Sequence, residues 1–339
     1  MYKQSPKQDN YYITDETIQV TSSSINLHLQ IQPKTDKPKK QIADFINLHC
    51  QGQCGIVYCA RRKDTVDLAH ELKSANINAV FVHGDLNDLE RRKHERAWTI
   101  GLAQVICATK SFGMGIDRKD VRFVLHMCFP ESIEDYYQEI GRAGKDGLPA
   151  LCTLFFKHED RSFNLHNILK IEDKDYQEHK YNMMNKMVNY CDSGSSCHHR
   201  CILSYFEEVS PECEEHCDIC IGDIQSQKDY TIVSQLIIKG LLTILEMQKK
   251  VTVFLSQFLL GSSASELKAL SLDVAHGFRS AKPYYQQRTG RKQLQRLIYH
   301  LIVKGIIKKE IAGTTEKPTI FLNQGNTEKL MDNKEIIFF

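Results

Sequence analysis

The run Tyr136-Tyr137-Gln138-Glu139-Ile140-Gly141-Arg142-Ala143-Gly144-Lys145-Asp146-Gly147 packs an aromatic pair, an amide, two cations and three glycines into twelve consecutive residues. A helix built only for packing has no use for so much glycine, which weakens helices and exposes backbone. Just upstream, Ser132-Ile133-Glu134-Asp135 reads as a capping box that opens a helix. On that helix Gln138, Arg142 and Lys145 fall at i, i+4 and i+7, along one stripe. The glycines let a ligand or another backbone come close to those polar heads. The run therefore predicts a phosphate-facing surface on an α/β domain. A glycine-ended helix with solvated charges would account for the glycines but not for the whole cluster.

Outward from this run, short apolar segments alternate with helical patterns. Gly55 to Ala60, Ala79 to Val82, Gln104 to Ala108, Val121 to His126 and Ala150 to Phe156 read as strands. Ile42 to Leu48, Asp64 to Ala75 and Asn87 to Gly101 read as helices between them. Apolar strands separated by helices predict a parallel sheet covered on both faces. Function in such sheets gathers at the carboxyl ends of the strands. Three unusual loops are expected there: Val82 to Asp85, Ala108 to Asp117, and the opening run. Upstream, Ser24 to Gln32 alternates apolar and polar residues, the pattern of one edge strand in an otherwise polar lead-in.

With 339 residues the chain has room for two or three domains. Its net charge of +2 says nothing about partners, so local charge must. The first residues carry no apolar segment, and no secretory signal is expected. The most apolar run, Leu236 to Leu245, is short and contains Lys239, which makes it a core helix and not a membrane span. Of twelve cysteines, Cys59, Cys107, Cys128 and Cys152 sit singly in strand-like runs, the habit of reduced buried thiols. A reduced, cytosolic or nuclear compartment follows.

Three constellations carry chemistry. In the loop after Ala108, Thr109 and Ser111 offer hydroxyls, Gly113 and Gly115 open backbone amides, and Asp117 can accept from them. Successive exposed amides make a nest for an anion. No G-x-x-x-x-G-K-[ST] occurs, nor an Asp-Glu pair at a strand end for magnesium, so a nucleotide could be touched here but not fully bound. Next, Cys213, Cys217 and Cys220 form a tight knuckle, with Cys197 and Cys201 upstream. Four thiolates at such spacings suit a closed, tetrahedral, structural zinc site, with Cys197 and Cys201 rivals for the fourth place and His198, His199 and His216 lesser ones. Last, Val274 to Lys309 holds nine cations, among them Arg279, Lys282, Arg288, Arg291, Lys292 and Arg296, and no acid. Phe278, Tyr284, Tyr285 and Tyr299 are interleaved. One charge sign with aromatics points to a nucleic-acid backbone. Helices followed by a hairpin pattern, Ile306 to Ile311 and Pro318 to Leu322, suggest a winged helix.

These residues carry a resemblance. Ile56 to Cys59, Val82-His83-Gly84, Ala108-Thr109 with Phe112 to Asp117, Val121 to Val124, and Tyr136 to Glu139 with Gly141 to Gly144 resemble the second RecA-like domain of the RecQ family of DNA helicases. The likeness continues through the cysteine knuckle and the winged helix, roughly residues 40–325. It implies that Gln138, Arg142 and Lys145 close on ATP held by a first RecA-like domain, with Gly113, Gly115, Asp117 and Gly141 lining the nucleotide. Lys145 stands where the family usually has a second arginine, and a lysine cannot grip two phosphate oxygens bidentately. The Gly113 to Asp117 loop would couple that cleft to DNA, with Thr109 on the DNA side. The resemblance selects Cys197 as the first zinc ligand, because Ile202-Leu203-Ser204-Tyr205-Phe206 follows it.

The expected architecture is an α/β RecA-like parallel-sheet domain followed by a helical zinc-binding module and a winged-helix domain. Its spans are a lead-in over 1–38, the RecA-like domain over 39–157, the zinc module over 158–222, the winged helix over 223–325 and a tail over 326–339. The expected function is the C-terminal portion of an ATP-dependent 3′-to-5′ DNA helicase of the nucleus. It would act on single-strand/duplex junctions in DNA repair and recombination. It would take zinc structurally, and ATP with Mg2+ only when a first RecA-like domain completes it in cis or in trans. No membrane partner is expected. The alternative is a non-enzymatic zinc and winged-helix DNA-binding module that keeps a relic motor domain.

Overall fold

A computed structural model describes residues 26–339, except 111, 113–117, 193–195, 209–212, 214–215, 223–228, 248–253, 263–264, 285–289, 314–317, 333–336 and 338–339. Six parallel strands form one sheet: β1 (Leu27–Pro33), β2 (Gly55–Tyr58), β3 (Ala79–Val82), β4 (Val105–Ala108), β5 (Phe123–His126) and β6 (Ala150–Phe156). Their order is β1-β6-β5-β2-β4-β3. Every residue of β2, β4 and β5 is buried, as a strand covered on both faces must be. Alternation sorts the side chains: Val57 and Phe123 face α1 (Pro38–His49) and α2 (Arg62–Ser74), while Ile56, Tyr58 and Val124 face the opposite way. On that second face lie Trp98 of α3 (Asp88–Thr99) and Tyr136 and Ile140 of α4 (Ile133–Ile140).

The edge strand expected around Ser24 to Gln32 is β1, and it pairs with β6 from Leu27↔Ala150 to Pro33↔Phe156. The sheet thus starts inside the segment that the sequence reads as a lead-in. β1's free edge is not left open to water. Leu29 N–H donates to His216 O at 3.0 Å, and Ile31 N–H to Asp218 Oδ2 at 3.0 Å. His199 Nε2 lies 3.0 Å from Leu27 O. The cysteine-rich segment covers the edge that would otherwise invite pairing with another chain.

After β6 come α5 (Arg161–Ile168), α6 (Lys174–Asp192), α7 (His198–Tyr205) and the single turn α8 (Asp218–Ile221). Met184, Met187 and Val188 of α6 join the core under α4. A separate core follows, built from α9 (Thr231–Glu246), α10 (Phe254–Leu260), α11 (Ser265–Ala269), α12 (Gly290–Val303), the antiparallel pair β7 (Ile307–Gly313) and β8 (Pro318–Gln324), and α13 (Glu328–Met331). Helices followed by a hairpin are the expected order. Tyr299 of α12 belongs instead to the first core, and its hydroxyl donates to Asn185 Oδ1 of α6 at 3.0 Å.

Two expectations about the opening run need correction. Gln138, Arg142 and Lys145 do not share a helical stripe, because α4 ends at Ile140. Ser132 does cap it, its hydroxyl accepting from Asp135 N–H at 3.1 Å. Nor does Gly141 to Gly147 lie at the carboxyl ends of the strands. An eight-residue helix climbs about 12 Å, enough to carry the chain back to the other edge of a four-residue strand. There the loop precedes β6, and Gly144 N–H donates to Val121 O at 2.9 Å, just ahead of β5.

Candidate phosphate loop and metal centre

Gly144 has φ +62°, the left-handed region that only glycine enters without strain. The Asn26 amide fills the space where a side chain would be, donating from Nδ2 to Gly144 O and to Leu148 O, each at 2.8 Å. Arg122 braces the same loop through Asp146 at 2.5 Å, and its guanidinium holds the Asp146 carboxyl below the usual carboxylate range. The result is a fixed turn that leaves Lys145 exposed while Arg142 turns inward.

Arg142 meets Tyr58. The Tyr58 hydroxyl is buried and donates to Phe112 O at 3.3 Å. Burial pushes this phenol up, the Glu139 charge adds to the push, and the Arg142 charge opposes it. Tyr58 stacks on the fully buried His126, with ring centroids 5.2 Å apart, and His126 Nε2 lies 2.8 Å from Glu139 Oε2. One buried chain of contacts therefore links the loop after β4 to Arg142 through Tyr58, His126 and Glu139. The sequence reading missed His126 and Glu139. A signal was available: Ile133, Tyr136, Glu139 and Ile140 share the buried face of α4, and a carboxylate on an apolar stripe needs a partner. Gln138, on the outer face, is exposed.

Thr109 is half-buried, and its carbonyl accepts from Phe112 N–H at 2.9 Å. Gly113, Gly115 and Asp117, like Ser111, lie outside the described residues. Of the basic set, Arg279 and Lys282 are exposed. Arg279 sits at φ +65° with its stem packed over Gly261. Arg288 lies outside the described residues, and Arg291 and Lys292 open α12. Arg296 also reaches the first core: its guanidinium lies 3.6 Å from Asp192 of α6, while 46% of its side chain is exposed.

The Sγ atoms of Cys197, Cys213, Cys217 and Cys220 all lie within 4.8 Å of one another, and those of Cys197 and Cys217 are 3.9 Å apart. Zinc–sulfur bonds of about 2.3 Å in a tetrahedron put sulfurs roughly 3.8 Å apart, so the set fits zinc. Cys201 is not in the cluster; it lies one turn along α7, packed against the first core. Two of the rival histidines face other groups: His198 Nε2 stands 2.9 Å from Asp218, and His199 Nε2 faces backbone carbonyls. Cys197 is the N-cap of α7. Burial opposes its ionisation, but the Arg200 N–H and the neighbouring thiols outweigh that and lower its pKa. Clustered thiols with one acidic member at a helix start suit a shared cation. The dispersed cysteines behave as inert core, with burial pushing Cys50 and Cys54 up to about 12.

A parallel sheet with a braced arginine loop, tied by its edge strand to a four-thiol cluster, is a RecA-like domain with a metal module attached. Family comparisons agree. Residues 37–147 match the helicase conserved C-terminal domain, and residues 159–221 match the RecQ zinc-binding family. The ATP-dependent helicase SGS1 of Saccharomyces cerevisiae is 29% identical over 320 residues, covering 91% of this chain and 22% of that protein. The ATP-dependent DNA helicase Q1 of Pongo abelii is 30% identical over 316 residues, covering 91% of this chain and 46% of that protein. A putative ATP-dependent DNA helicase Q1 of Caenorhabditis briggsae is 38% identical over 201 residues, 58% of this chain and 32% of that protein. The chain belongs to the RecQ helicase family. It spans less than half the length of each of these relatives.

Proposed function

We propose that this chain supplies the second motor domain, zinc module and winged-helix unit of a nuclear ATP-dependent 3′-to-5′ DNA helicase. In this reading Arg142 and Lys145, with Gln138 and Gly141 beside them, complete an ATP and Mg2+ site whose phosphate-cradling half is another RecA-like domain. The observation that carries the reading is the placement of Arg142: its guanidinium is preset against the Tyr58 hydroxyl, which also binds the carbonyl of the loop after β4. A guanidinium held before the nucleotide arrives costs no reorganisation when charge develops on the transferred phosphoryl group. Tyr58 gives that group a mechanical link to the loop bearing Thr109, Gly113, Gly115 and Asp117. Zinc held by Cys197, Cys213, Cys217 and Cys220 would fix the module on β1, and Arg279, Lys282, Arg288, Arg291 and Lys292 would track a DNA backbone near a strand junction.

The test is ATP hydrolysis. The 339-residue chain has no P-loop, so alone it should show no DNA-stimulated ATPase. Fused to a matching first RecA-like domain it should hydrolyse ATP and unwind DNA bearing a 3′ overhang. Arg142→Ala should then cost about 10²-fold or more in kcat, and Lys145→Arg should raise the rate. Robust ATPase from the chain alone, or a fusion indifferent to Arg142, refutes the reading. The second reading, a DNA-binding module with a relic motor, rests on Lys145 and would be favoured by a fusion that binds DNA but stays inert.

A further inference from the structure

Where the first unit meets α12 there is a cleft of about 730 Å3, formed by the segment after β1, the start of α5 and the polar side of α12. That volume lies in the range of small-ligand sites. Arg161, the first residue of α5, lays its guanidinium over the ring of Tyr299. Its Nη1 is sealed from solvent and meets no acceptor among the described residues. The neighbouring acids are already engaged. Asp160 is held by Lys34 at 3.0 Å, and Asp192 by His158 at 2.9 Å with Arg296 at 3.6 Å. Asp36, near Lys157 at 3.9 Å, is 99% exposed. Asp192, already shared with His158 and Arg296, offsets the buried charge of Arg161 only in part, and burial drives its pKa down to about 9. A buried cation compensated only in part works against folding unless a further anion meets it.

We propose that this cleft binds a phosphate group, gripped by Arg161 and closed by Arg296 and Lys157, with Gln295 as a neutral donor. All four side chains line the cleft. A planar guanidinium matches two phosphate oxygens at once, and cations from two elements suit a dianion better than a single carboxylate. The bound phosphate would bridge α5 and α12, and so fasten the second unit to the motor sheet. This site is separate from the Arg142 loop, and it does not depend on the helicase reading.

Calorimetric titration of the whole chain with inorganic phosphate, at constant ionic strength and with chloride as control, tests it. Saturable binding is expected. Arg161→Gln should weaken it at least tenfold and Arg296→Gln several-fold, while Lys73→Gln on the far helix α2 leaves it unchanged. The same variants titrated with a short DNA duplex separate the sources. Loss of duplex affinity in Arg161→Gln, with no response to free phosphate, assigns the site to a DNA backbone phosphate. Wild-type affinity for both probes in Arg161→Gln overturns the proposal. Trp98 fluorescence checks that Arg161→Gln folds; if it does not, Arg296→Gln, whose side chain is 46% exposed, carries the test alone.

Discussion

Replacing Gly144 with alanine probes how the arginine loop is held. The new Cβ would stand 2.4 Å from Asn26 Nδ2 and 3.0 Å from Leu148 O, at φ +62°. Left-handed backbone costs a non-glycine residue about 1 kcal/mol. Displacing Asn26 forfeits two hydrogen bonds, about 1 kcal/mol each. The single variant should therefore lose about 3 kcal/mol, and Asn26→Ala alone about 2 kcal/mol. In the double variant the clash with Asn26 is gone and its bonds are already lost, so the total should also be about 3 kcal/mol and not the roughly 5 kcal/mol of independent sites. The assay is urea unfolding followed by Trp98 fluorescence. Trp98 is the chain's single tryptophan, fully buried against the sheet with Nε1 donating to Gly55 O at 3.1 Å, so it reports this unit alone. Additive losses within about 0.5 kcal/mol would refute the latch.

Other expectations follow from the same contacts. Glu139→Ala leaves buried His126 unpaired and should cost about 3 kcal/mol by the same assay, with Glu139→Gln recovering most of it; a neutral Glu139→Ala would show that the pair holds nothing. Cys217→Ser should abolish zinc in metal analysis and speed hydrogen exchange at the Leu29 and Ile31 amides, whose acceptors belong to the cluster segment; full zinc retention would discredit the ligand set. Burial, with Lys304 adding to it and Asp192 opposing, lowers the pKa of His300 on α12. The fold prefers the neutral ring, so the unfolded chain takes up the proton first. The stability this gives is complete above about pH 6.5 and falls as pH drops through that value toward the folded pKa. In His300→Gln the loss of stability as pH falls below about 6.5 should shrink, and an unchanged pH profile would assign the acid sensitivity elsewhere.

Much of the motor fold was legible because its signals are local. β2, β4 and β5 are short apolar runs between helical patterns, and Ser132 announces the start of α4 through a contact three residues away. The cysteine knuckle is equally local in Cys213, Cys217 and Cys220. The choice of Cys197 over Cys201 is different. The two share α7 and its entry, and only the path of the chain decides which thiol reaches the knuckle. Periodicity misled at Arg142 and Lys145, since counting by four assumes a helix that Gly144, in its left-handed turn, does not continue.

By itself the sequence determined the layers, the parallel sheet, the four-thiol metal chemistry and the helicase family, because spacing and residue type carry those over a few residues. The tertiary structure decided where the pieces meet. Asn26 locks a loop 118 residues away, His126 finds Glu139 across a turn, and β1 closes its edge on the cysteine segment. Arg296, read as one of a DNA-facing stripe, also lies 3.6 Å from Asp192 of α6. Such long-range pairings are set by how strands order themselves in the sheet and by which buried polar groups must be satisfied, and no local pattern records either.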